Sequence, residues 1–178
     1  MKAALTYLFF LFFTFSNAQI NWMTVEQAIE AQKKNPKKII IDFYSENNAS
    51  CTIMDKQTFA HPQIIKFIND KFYAVKFNAL GNSVVNFYDR IFKNSDFSQI
   101  SKDKINMHQF AKFMNVNACP SIIFLDENGQ TITNLNGLFS AKELEPYLSM
   151  IGSNDYKSIK TREKWENYQR KFKSKIKE

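Results

Sequence analysis

Residues 38–55 read KIIIDFYSENNASCTIMD, and this stretch decides the fold. Lys38 is followed by three β-branched residues, Ile39, Ile40 and Ile41, then Asp42, Phe43 and Tyr44. A continuous apolar run of this length predicts a central β-strand covered on both faces. Asp42 lies inside that run, where a buried carboxylate is costly without a partner or a function. Polar residues Ser45–Ser50 form a loop, and Cys51 falls where a new helix begins. The N-terminus of a helix favours a thiolate, so strand, loop and cysteine together outline a candidate site.

Working outward, residues 1–18 carry one charge, Lys2, then an apolar run over Leu5–Phe15 and a small-residue end, Ser16-Asn17-Ala18. This is the pattern of a secretory signal peptide, and it is too short for a comfortable membrane span. The expected protein is exported, periplasmic or secreted, with a mature chain from about Gln19 and no integral membrane segment after cleavage. No cysteine follows the cleavage pattern to carry a lipid. An exported chain meets thiol-exchange chemistry, and two cysteines, Cys51 and Cys119, are too few for a disulfide-built scaffold.

The formal charge is +7, concentrated over Lys157–Lys177. Without zinc-finger spacing, a P-loop or an aromatic–basic platform, a nucleic-acid partner is not expected. The basic segment reads as a solvated tail, with contact to acidic partners as the other option.

Thr24 and Gln27 fit a capping box within a helix predicted over Trp22–Asn35, ended by Pro36. A helix is expected from Cys51 to Asn69, broken near Ala60-His61-Pro62, and a second strand over Phe72–Asn78. Helix between strands argues for a parallel crossover unit. Leu80–Asn106 reads as an insertion, with a short hairpin over Val84–Tyr88 and Arg90–Phe92. A short helix, Met107–Met114, follows, and then a strand over Ser121–Asp126. The turn Glu127–Gln130 leads to Thr131–Asn134 as an antiparallel partner. Ser140 and Glu143 cap a helix ended by Gly152. Tyr156–Glu178 reads as one charged amphipathic helix, with Trp165, Tyr168 and Phe172 on one side. His61 and His108 each lie at a helix start and read as caps or surface residues rather than catalysts. Neither has the spacing to complete a metal site with the cysteines.

IIIDFYSENNASC resembles the active-site strand and loop of thioredoxin-like proteins, in which Cys-X-X-Cys opens the helix. Asn117-Ala118-Cys119-Pro120-Ser121 resembles the family's second hallmark, a cis-proline leading into a β-hairpin. The resemblance implies an α/β three-layer sandwich: a mixed central sheet with helices on both faces, over residues 19–152. The insertion at about 80–106 and the basic helical tail at 153–178 are additions to it. It implies no cofactor.

By this resemblance Asp42 matches the buried carboxylate that assists proton transfer, Cys51 the inner cysteine, and Pro120 the cis-proline. Asn48 stands where the family has its nucleophilic cysteine. The motif is therefore a degenerate Asn-Ala-Ser-Cys, and an amide cannot attack sulfur. Asn48 also suits a helix N-cap. The candidate catalytic residues are thus Cys51, Cys119 and Asp42, and the candidate binding residues Asn48 and Pro120. Asp42 is open between a proton shuttle and a structural acid. For the cysteines, two free thiols, a Cys51–Cys119 disulfide and a relocated reactive thiol at Cys119 all stay open. The leading expectation is a non-enzymatic member that binds a protein or peptide beside Pro120. The alternatives are atypical exchange through Cys119 with or without Cys51, and an assembly role through the insertion and the basic tail.

Overall fold

The computed structural model describes residues 19–94 and 106–177. The expected signal peptide and residues 95–105 of the insertion lie outside the described residues.

Strand β1 (Trp22–Met23), helix α1 (Val25–Lys34) and strand β2 (Lys38–Tyr44) open the chain. Trp22 and Met23 were expected to start the helix. They instead pair in parallel with the strand Phe72–Asn78, and the helix begins only after Thr24. The capping box sets that boundary: the Gln27 N–H donates to Thr24 Oγ1 at 3.2 Å, and the Thr24 N–H to Gln27 Oε1 at 2.9 Å. Helix α2 (Ala49–Ile53) runs into a wider π-helical turn, Met54–Thr58, before α3 (Pro62–Lys71) and β3 (Phe72–Asn78). His61 caps α3, its Nδ1 accepting from the Gln63 N–H at 3.2 Å.

The insertion forms the hairpin β4 (Val85–Phe87) and β5 (Arg90–Phe92), joined by Tyr88 and Asp89. Both joining residues have positive φ, as a tight two-residue hairpin turn requires. Helix α4 (Gln109–Phe113), β6 (Ser121–Leu125), β7 (Thr131–Asn136) and α5 (Ala141–Gly152) follow. The expected single helix over 156–178 is shorter: α6 spans Arg162–Lys171, and residues 172–177 run on as a non-helical strap. The strap leaves the helix because its own backbone and hydroxyl find a better partner. The Lys175 N–H donates to Glu145 Oε1 at 2.9 Å, and the Ser174 hydroxyl to the other oxygen.

The five-stranded sheet has the order β1-β3-β2-β6-β7, with β2–β3 parallel and β2–β6 and β6–β7 antiparallel. It is a mixed sheet with helices on both faces, as expected. Alternation along the strands sorts the side chains into two cores. Ile40, Ala74, Ile122 and Phe124 face α3 and α5, while Ile39, Ile41, Phe43 and Phe77 face α1 and α4. Asp42 shares the Ile40 face, toward α2. Lys76 lies directly opposite it in register on β3. Ile39, Ile40 and Ile41 are all but fully buried, each contributing about 1.5–3 kcal/mol. That burial holds the strand in place despite the carboxylate within it.

Candidate functional site at the start of helix α2

The loop after β2 delivers Asn48 as the N-cap of α2. Its Oδ1 accepts from the Ser50 N–H at 2.9 Å and from the Cys51 N–H at 3.3 Å. Its Nδ2 donates to the Cys119 carbonyl oxygen at 3.0 Å. One side chain thus caps the helix and ties it to the loop before β6. Sequence reasoning assigned the cap but not the second bond, because nothing local in sequence marks a contact 71 residues away.

The Cys119–Pro120 peptide bond is cis, and the Pro120 carbonyl accepts from the Gly137 N–H at 2.9 Å. Pro120 is itself buried. Gly137 has a φ of +100°, which a side chain would strain. Ser121 closes the turn, its hydroxyl donating to the Ala118 carbonyl at 2.7 Å.

Cys51 is 3% exposed, and its Sγ accepts from the Ser45 N–H at 3.5 Å. Burial raises its thiol pKa, the Ser45 bond opposes that, and the nearby carboxylates of Asp42 and Asp55 add to it. Cys119 is half-buried, and both cysteines are free thiols. Burial pushes the Cys119 thiol up to about 12, with Cys51 and Asp42 contributing. The structure therefore brings Cys51, Cys119, Asp42, Asn48 and Pro120 to one place. It holds both sulfurs as thiols at neutral pH.

Asp42 is 2% exposed, and burial raises its pKa to about 7 against the pull of Lys76. Lys76 Nζ lies 3.7 Å from Asp42 Oδ2 and makes a closer ion pair with Asp55. Its ammonium also sits over the rings of Trp22, at 5.3 Å, and Tyr44, at 5.1 Å. Sequence reasoning missed Lys76. The available signal was a lysine inside the apolar run FYAVKFN, on the face a two-residue period assigns to Phe72 and Ala74.

His108 lies away from this group. It caps α4 through Nδ1, which accepts from the Phe110 N–H at 3.0 Å, while Nε2–H donates to the Ser83 carbonyl at 2.7 Å. Both nitrogens are used by a neutral ring, and burial lowers its pKa. Among the described residues no three His, Cys, Asp or Glu side chains are grouped to hold a metal.

Residues 25–151 match the family model of the thioredoxin-like domain. The chain belongs to this family. No curated protein matches it in sequence. Among solved structures, a thioredoxin-fold protein from Helicobacter pylori superposes with a TM-score of 0.60 at 18% identity, over 76% of this chain and 82% of that one. The DsbH oxidoreductase superposes with a TM-score of 0.51 at 16% identity, over 86% and 93%. A thioredoxin from Thermus thermophilus gives 0.54 at 13%, over 75% and 87%. At these identities the likeness is one of fold. What this thioredoxin-like chain does rests on its own residues.

Proposed function

We propose that this is an exported thioredoxin-fold protein that binds a protein or peptide partner beside Pro120 and does not catalyse dithiol exchange. The observation that carries this reading is Asn48. It stands where the thioredoxin resemblance puts the attacking cysteine, and both ends of its amide are engaged in structure. Exchange needs a thiolate to attack a disulfide and a second thiol to release the mixed product. Here the first is absent, Cys51 is buried, and Cys119 is held far from its thiolate form. What the site offers is surface. Ile53, two residues beyond Cys51, is 39% exposed, and Leu138, next to the glycine bonded to Pro120, is 44% exposed. Export is supported by the leader pattern of residues 1–18. Among the described residues no helix is long and apolar enough to cross a membrane.

The test is dithiothreitol-driven insulin reduction by the wild type and by Asn48→Cys. The wild type should stay at the uncatalysed rate, and the variant, which restores a Cys-X-X-Cys spacing, should exceed it clearly. Catalysis by the wild type would sink the reading, and an inert variant would sink the placement of residue 48.

A second reading is favoured by two free thiols sharing one site. In it the Cys119 thiolate attacks a substrate disulfide, Cys51 resolves the mixed disulfide, and a reduced substrate dithiol leaves a Cys51–Cys119 disulfide. Thiol counting in the native and denatured protein separates the two. Binding alone predicts two slow thiols that react at once on unfolding, whereas exchange predicts a fast Cys119.

A further inference from the structure

Residues 157–177 hold nine Lys and Arg against two Glu, a net +7 that equals the charge of the whole chain. The charges in the remainder of the protein sum to zero, so the net positive charge resides in this one segment. All nine basic side chains are exposed. The aromatics of α6 face the other way: Trp165 packs on Tyr147 at 4.5 Å between ring centres, Tyr168 stacks on Trp165, and Phe172 follows on.

The strap after α6 sharpens the pattern. Phe172 is turned inward, Ser174 bonds Glu145, and Ile176 is buried. An extended chain alternates sides, so Lys173, Lys175 and Lys177 are left on the outer side in a row. Lys173 and Lys175 also line, with Lys71 of α3, a cleft of about 250 Å³ over Phe67 and Phe172, whose wall carries two acids already engaged, Asp70 paired with Lys66 at 2.8 Å and Glu145 bonded to the strap.

We infer that this strap and the adjoining end of α3 are a peripheral docking surface for an anionic phospholipid bilayer. The chemistry of the surface selects that occupant. A protein partner is usually gripped by aromatic and Arg anchors, and lysine is depleted from such interfaces. Here the aromatics point inward and the outward row is lysine alone. A row of compact, mobile ammonium groups with no outward apolar anchor suits a fluid array of headgroup phosphates, attracted without insertion. The surface is separate from the groove beside Pro120, and its failure leaves the reading of that groove untouched.

The experiment is co-sedimentation of the purified protein with vesicles of phosphatidylcholine alone or with about one-third phosphatidylglycerol, at low and high salt. Binding is expected only to the vesicles containing phosphatidylglycerol, and it should be released by salt. Replacing Lys173, Lys175 and Lys177 with Gln should weaken partitioning about fivefold per lysine, roughly a hundredfold together. The inward contacts at Ser174 and Ile176 stay in place, and an unchanged thermal midpoint confirms the fold. Replacing Lys33, Lys34 and Lys112 with Gln removes the same charge elsewhere and should change partitioning less than twofold. The inference is overturned by no binding to anionic vesicles at low salt, or by equal losses in the two triple variants. Retention on polyglutamate without vesicle binding would also overturn it, in favour of an acidic protein partner.

Discussion

Replacing Asp42 with Asn isolates the energetic consequence of placing a carboxylate in the central strand. Burial raises the pKa of Asp42 from an ordinary 3.8 to about 7, partly opposed by Lys76. Between those values the folded chain keeps a proton on Asp42 that the unfolded chain has released. Stability contributed by this group therefore falls as pH rises from about 4 to about 7, and stays low above that. The full difference corresponds to about 4 kcal/mol of destabilisation at pH 8, of which less than half has accrued at pH 5. The gain on Asp42→Asn should thus be larger at pH 8 than at pH 5, by about 2–3 kcal/mol. Packing changes caused by the amide are the same at both pH values and cancel. His108 pulls the other way, because its lowered pKa makes the folded state lose stability as pH falls. That contribution is common to wild type and variant and cancels as well. The assay is urea denaturation of both proteins at the two pH values, with equal slopes as the check on two-state behaviour. A gain that is the same at pH 5 and pH 8 would refute the reasoning, since it would mean Asp42 ionises alike in folded and unfolded chains.

Two further substitutions probe the loop and the strap. Asn48→Ala removes the cap of α2 and the bond to the Cys119 carbonyl, and should lower unfolding stability by about 1–2 kcal/mol. It should also speed modification of Cys119 by a thiol reagent, and an unchanged rate would show that the amide does not hold that loop. Glu145→Ala removes both anchors of residues 174 and 175. Limited trypsin cleavage at Lys173 and Lys175 should then rise about tenfold, from a local loss of about 1.4 kcal/mol. Cleavage at the wild-type rate would mean that burial of Ile176 alone secures the strap.

Most of the architecture was legible because its signals are local. The run Ile39–Ile41 has nowhere to go but a strand covered on both sides, and Thr24, Ser140, His61 and His108 each cap a helix as their positions suggest. Misreadings fell where tertiary bonds outbid local pattern. Trp22 and Met23 run straight into a capped helix, yet β3 offered an open edge for them to pair with. Residues 172–177 continue a helical pattern of charge, yet Glu145 recruits their hydroxyl and N–H groups and Ile176 finds a buried seat.

For the site the division is similar. From sequence alone came the frame: an acid-bearing strand, a loop ending in Asn48 and Cys51, and a second cysteine before Pro120. Its kinship with thioredoxin-like proteins, and the loss of the attacking thiol, were also legible there. Only the tertiary structure set Lys76 opposite Asp42, turned the Asn48 amide onto the Cys119 carbonyl, and buried both sulfurs enough to hold them as thiols. The reason is physical. Residue type determines which groups can ionise or bond, but the dielectric and the partners that decide whether they do are supplied by segments far away in the chain.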